Sequence, residues 1–202
     1  PETEPDAYAL VHFMIGTSRL QSGQSFAEAE RHLTEAADLA AAHDLPDVAA
    51  RSRFELGNLY AERGDLQRAL RSYQEAASFS QVAGDDFQEA LSYNNLGYHT
   101  LLSGDLQSAR EHVERGLNLA TTHGLLWPLQ YLYSTRGEIA LAAHDWTDAE
   151  EWFGRALDEA RRSGNLVQVA NCHANLARAA RGRGDLDRAE ELVGVASQIA
   201  EG

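Results

Sequence analysis

The side chains able to do chemistry in this chain are eight histidines, one cysteine, 31 carboxylates and 17 basic residues. Their spacing argues against most of the chemistry their types allow. A protein metal site needs three or four ligands converging on one point. His43, His123 and His144 instead fall beside turn signals, and the other histidines are scattered. Glu150-Glu151 and Glu190-Glu191 are adjacent in helical sequence, so each pair diverges by about 100° and makes no acid–base couple. No glycine-rich phosphate loop, nucleophile elbow or metalloprotease helix motif occurs. The lone Cys172 excludes an internal disulfide and fits a reducing, cytoplasmic compartment. The expectation is a non-enzymatic chain with no catalytic residue, metal or cofactor, and with histidines placed at turns or on the surface.

Charge narrows the partners. The formal net charge is −14, and every basic residue is arginine. Nucleic-acid binding needs a basic face to displace counterions, so that class is excluded. A basic or mixed-charge protein partner suits the field, and so does a surface that is acidic only for solubility. Arg161, Arg162, Arg178, Arg181 and Arg183 make the C-terminal part the least acidic, either as a protein- or anion-facing patch or as a solvated face. No apolar run approaches the roughly 18 residues that would cross a membrane. The chain opens at Pro1 without a charged-then-apolar leader, which reads as an excised or processed domain.

What positions these groups is a repeat. Ala29, Ala69, Ala109, Ala149 and Ala189 recur every 40 residues. Gly64, Gly104 and Gly184 keep the same period, as do Asp65, Asp105, Asp145 and Asp185, and a second glycine column runs through Gly84, Gly124 and Gly164. A fixed long period is the mark of a stacked array. Within the second unit, Val48, Phe54, Leu56, Leu59 and Tyr60 space one amphipathic helix, and Leu66, Ala69, Leu70, Tyr73, Ala76 and Ala77 a second. Glycine stops the first helix and aspartate caps the next. Pro46 and Pro128 suit first turns. Thr17, Gly57, Gly97, Gly137 and Ala177 form a small-residue column expected to lie opposite the alanines, so that a large residue at Ala109 would overpack the joint. The reading is all-α: ten helices in five antiparallel pairs, in units of approximately 5–44, 45–84, 85–124, 125–164 and 165–202. These form one domain over 1–202.

The columns resemble the tetratricopeptide repeat. Leu56-Gly57, Tyr60, Ala69, Tyr73 and Ala76 reproduce its pattern, followed by Tyr93, Leu96-Gly97 and Ala109, then Tyr133, Gly137, Ala149, Phe153 and Ala156. The period of 40 is longer than the basic unit and is similar to kinesin-light-chain and MalT-type arrays. Ala90-Leu-Ser-Tyr-Asn-Asn-Leu-Gly97 carries that likeness most closely, and the arginine-only basicity points to the bacterial regulators. The resemblance implies a right-handed superhelical solenoid whose first helices line a concave groove for a protein or peptide.

Carried over to this chain, the groove positions are Arg51, Phe54, Asn58, Leu91, Asn94, Asn95, Tyr98, Leu101, Tyr131, Ser134, Glu138, Asn171, Asn175 and Arg178. Asparagine amides can clamp a peptide backbone, and tyrosines add rigid contact area. Asn58 and Asn95 equally suit a ligand contact or a solvated face, while Tyr93 and Tyr133 belong to a packing column. Asn58 and Asn95 match the asparagines of chaperone-tail clamps, but Phe54, Tyr131 and Thr135 stand where the basic residues should be. An acidic chaperone tail is therefore rejected. Trp146 falls in a leucine column and reads as core; Trp127 sits at a unit junction. Leu192, Val193, Val195 and Ile199 on the last helix lack a following unit. Their exposure would mean that the parent chain continues, that two chains pack end to end through this uncapped helix, or that a modest stripe stays open. The expected role is the sensor or assembly arm of a bacterial signalling or transcriptional regulator; the alternative is a free-standing adaptor.

Overall fold

The computed structural model describes residues 5–23 and 25–201. They form ten helices and, among the described residues, no strand. These are α1 (Pro5–Ser22), α2 (Phe26–Ala42), α3 (Pro46–Glu62), α4 (Leu66–Ala83), α5 (Asp86–Leu102), α6 (Leu106–Thr122), α7 (Leu126–Ala142), α8 (Trp146–Arg162), α9 (Leu166–Gly182) and α10 (Leu186–Glu201). Two compact units divide them, Pro1–His99 and Thr100–Gly202, with the boundary inside α5.

Local chemistry sets the helix ends. Asp65, Asp105 and Asp145 each accept a hydrogen bond from the backbone N–H three residues on, at 3.0–3.1 Å. Asp85 and Asn165 do the same for α5 and α9. Pro46 lies in the first turn of α3, where a missing N–H costs nothing. From α3 onward, the residue before each cap is left-handed. Glycine fills most of these places, but Asp44 (φ 56°) and His144 (φ 59°) hold the same conformation. Aspartate and histidine are among the few side chains that tolerate it.

In the first unit α2 packs between α1 and α3, α3 packs on α4, and α1 also touches α3. The cluster of Ala69, Tyr73 and Ala77 with Tyr93 and Leu96 fastens α4 to α5. In the second unit consecutive helices pack from α6 through α10, and α7 also touches α9. Each unit is thus a stack of helix hairpins in which the first helices form one layer and the second helices another.

Four members of the alanine column, Ala29, Ala69, Ala109 and Ala149, are fully buried, and Ala189 on the last helix is half-buried. The small-residue column, however, faces a different partner from the one expected. A Cβ on Gly57 would lie 2.5 Å from the Tyr73 ring, and one on Gly137 would lie 2.6 Å from the Phe153 ring. Glycine is therefore required opposite the large column of Leu33, Tyr73 and Phe153, not opposite the alanines.

In the first hairpin that place belongs to Gly16, which packs 2.7 Å (as a built Cβ) from Leu33. Thr17, the expected occupant, is half-buried and donates its hydroxyl to the Phe13 carbonyl at 2.9 Å. The cause is one extra residue in the turn. Left-handed Gly23 precedes the cap Ser25 by two positions rather than one, so α1 is shifted by one residue.

The last helix is better covered than its sequence suggests. Leu192 is buried against Ala177 and Ala180, and Ile199 packs on Ala156, Leu157 and Cys172. Val193 and Val195 alone of the four are exposed. No helix among the described residues is long and apolar enough to cross a membrane.

Candidate functional site

In the first unit the layer of first helices contains a hollow of about 410 Å³. It is lined by Leu20 and Gln21 from α1, Glu55, Asn58, Ala61 and Glu62 from α3, Tyr73 from α4, and Asn95 and His99 from α5. A hydrogen-bonded chain fixes its polar wall. The buried Tyr73 hydroxyl donates to Asn58 Oδ1 at 2.8 Å, and Asn95 Nδ2 donates to the same oxygen at 3.3 Å. Asn58 Nδ2 donates to Glu55 Oε2 at 3.1 Å, and Asn94 Nδ2 donates to Asn95 Oδ1 at 3.1 Å. The Asn58 oxygen is saturated by two donors. One N–H on each of Asn58 and Asn95 and one lone pair on Asn95 remain.

The charges in this hollow are one-sided. Burial holds the Glu55 carboxyl above its usual range, and the neighbouring Glu62 adds to the shift against the Asn58 hydrogen bond. Burial likewise pushes the Tyr73 hydroxyl up, opposed by Asn95 and reinforced by Glu55 and Glu62. Burial lowers His99, leaving a neutral imidazole at pH 7, and its ring stacks on Tyr73 with centroids 5.3 Å apart.

The second unit has a hollow of about 510 Å³ lined by Leu101, Leu102, Glu138, Leu141, Ala142, Trp146, Arg178, Arg181 and Gly182. Its walls are largely apolar, and its one carboxylate is paired. Arg178 Nη1 donates to both Glu138 oxygens, at 2.7 and 2.9 Å, and to Asn175 Oδ1 at 2.9 Å.

The expected groove residues therefore separate. Asn58, Asn94 and Asn95 come together in one unit, and Leu101, Glu138, Asn175 and Arg178 in the other. Phe54 is a packing residue, edge-on to Tyr73 at 5.6 Å. Tyr98 is exposed beside His99. The Tyr131 hydroxyl accepts from Asn165 at 2.9 Å, which ties it to the joint with α9. Arg51 and Asn171 are exposed, while Leu91 and Ser134 are half-buried; all four lie outside both hollows.

Sequence reasoning missed Glu55, Glu62, Tyr73 and His99. The signal for His99 lies in its column, where Leu59, Ile139 and Ala179 are fully buried apolar residues. The expectation of surface histidines also fails at His173, which is buried, and at His112, which is half-buried.

Other reactive groups are spent structurally. Cys172 is buried, its thiol pushed up to about 12 by burial against a Gln168 hydrogen bond, so it is inert as a nucleophile. Arg136 is buried but pairs with Asp148 at 3.1 Å, which also accepts from Trp152. No group of three or more metal-ligating side chains occurs among the described residues.

The model of the MalT-like TPR region matches residues 3–201. The chain belongs to that family. Its all-α, tetratricopeptide-type solenoid fold recurs in solved structures of low identity. BtubC (BKLC) from P. vanneervenii aligns with a TM-score of 0.80 at 21% identity, over 98% of this chain and 81% of that one. A Pyrococcus horikoshii signal transduction ATPase with numerous domains, PH0952, which carries a tetratricopeptide repeat sensor, aligns at 0.82 and 15% identity. That match covers all of this chain and 31% of the other. A curated relative, outer dynein arm-docking complex subunit 4 of Mus musculus, is 24% identical over 149 residues, 73% of this chain. The chain spans 23% of that relative's length.

Proposed function

We propose that this MalT-like TPR region is a cytoplasmic, non-enzymatic module that binds a protein or peptide on its first-helix layer. The five repeats act as one binding domain, the sensor or assembly arm of a bacterial signalling or transcriptional regulator. The observation that carries this reading is the first-unit hollow. Its asparagines are oriented by a buried tyrosine, they keep unused hydrogen-bonding capacity, and they sit where this repeat class presents its ligand face. Preorganised amides of this kind lower the ordering cost of binding. The likeness to an ATPase with a repeat sensor supports the regulator context. The match to a docking-complex subunit favours a second reading, a free-standing adaptor. An ATPase or DNA-binding segment elsewhere on the parent chain selects the first.

The test is capture from the native lysate with wild-type protein and with Asn58→Ala plus Asn95→Ala. The account expects the double variant to lose specific proteins while keeping its helical content. Equal recovery by both contradicts it. Exposed Val193 and Val195 offer a route for self-association of the isolated chain, and a strict monomer by light scattering at high concentration contradicts that.

A further inference from the structure

The repeat itself marks where the core pattern is broken. The column of Leu33, Tyr73, Val113 and Phe153 is fully buried, and Tyr73 is its one hydroxyl-bearing member. The column of Leu59, His99, Ile139 and Ala179 is apolar except at His99. These two exceptions stack on each other and line one hollow. A third break, Arg136 in the column of Leu56, Leu96 and Leu176, is satisfied internally by Asp148 and Trp152. The Tyr73–His99 break is not closed off in that way. It opens onto Glu55 and Glu62, which have no cationic partner among the described residues. Polar groups inserted into an apolar joint cost stability unless they are paired.

We propose that this hollow is a subsite for the guanidinium of an arginine side chain on a protein or peptide partner. The proposal rests on the first-helix layer being the ligand face and adds the chemistry selected there. Every polar feature fits a planar, multi-donor cation. Glu55 and Glu62 supply two carboxylates, and Asn95, in the same lining, accepts only one hydrogen bond at its Oδ1. His99 stays neutral and so does not repel a cation. A guanidinium carries five donors in a fixed plane and is weakly hydrated, which suits several acceptors in a half-buried hollow better than a compact ammonium does. The −14 field of the chain draws such a partner in.

The experiment is an NMR titration of ¹⁵N-labelled protein with the capped tripeptide Ac-Gly-Arg-Gly-NH₂, its citrulline counterpart and its lysine counterpart. The expected result is saturable movement of the Asn58 and Asn95 side-chain amides and of His99. Citrulline, which keeps the shape and loses the charge, binds at least about tenfold more weakly, and lysine binds more weakly than arginine. Glu55→Gln and Glu62→Gln each weaken arginine binding several-fold with helical content retained. Glu114→Gln, which removes one charge from the exposed face of α6, leaves it unchanged.

Four results each overturn the proposal. One is no saturable movement up to about 10 mM peptide, which bounds the affinity. The others are equal binding of citrulline, tighter binding of lysine, or full affinity in the Glu55→Gln, Glu62→Gln pair. If arginine fails while Asn58→Ala plus Asn95→Ala still loses its captured proteins, the ligand face stands and only the cation selectivity falls.

Discussion

The two hollows occupy the same place in the repeat, 80 residues apart, yet they have opposite chemistry. Asn58, Ala61 and Glu62 of the first correspond to Glu138, Leu141 and Ala142 of the second. Allowing for the one-residue shift of α1, Leu20 and Gln21 correspond to Leu101 and Leu102. Behind the first stand Tyr73 and His99; behind the second stand Phe153 and Ala179, packed in an apolar cluster. Where the backing is apolar, the carboxylate on the rim has an arginine, as Glu138 has Arg178. Where the backing is polar, the carboxylates have none. One scaffold carries a hollow whose carboxylate is already paired and one whose carboxylates a cation would complete.

The largest expected effect tests the shared part of this comparison. Gly57→Leu and Gly137→Leu both drive a side chain into an aromatic ring already in contact. Each should cost about 3 kcal/mol, lowering the thermal midpoint by roughly 6–12 °C. A loss at one site only would mean the two joints are not equivalent.

Tyr73→Phe copies the second unit's aromatic into the first. It removes the 2.8 Å bond to Asn58 and should cost about 1 kcal/mol while moving the Asn95 side-chain amide signal. An unmoved amide would separate Tyr73 from the network.

The smallest effect is a difference in sign between two like substitutions. Glu55 is held above its ordinary range by burial, so the unfolded chain loses this proton first as pH rises. Its ionisation therefore lowers stability as pH rises through the unfolded and then the folded titration point, and the penalty is largest above both. Glu55→Gln should raise the midpoint at pH 7 and have little effect at pH 4. Glu138→Gln loses a half-exposed ion pair with Arg178 and should cost up to about 1 kcal/mol at pH 7. Two changes of the same sign would erase the distinction between the hollows.

The elements were legible because they are written locally. A cap, a left-handed turn residue and a period of 40 need no knowledge of distant contacts. The shift at Gly23 was also readable, since that glycine falls one place short of the column of Gly64 and Gly104. Tyr73 and His99 were visible in principle as polar breaks in apolar columns. Tyr73 also satisfies the family pattern, which asks only for an aromatic there, and a histidine is commonly half exposed. Glu55 and Glu62 could not be distinguished from solvated residues of α3. Whether a polar face meets a partner depends on which side chains α1 and α5 present opposite it, and that is a property of packing.

The central claim, an uncompensated carboxylate poised for a cation, is read most directly from the Glu55 carboxyl carbon by ¹³C NMR titration. The groups facing it are Glu62 on α3, Tyr73 on α4 and His99 on α5, with uncharged Leu20 and Gln21 from α1. In the free protein Glu55 should titrate above the ordinary glutamate range. With saturating Ac-Gly-Arg-Gly-NH₂ its titration should move down, because the guanidinium favours the carboxylate, and the citrulline peptide should leave it in place. An ordinary titration in the free protein, or one that arginine does not lower, would contradict the account.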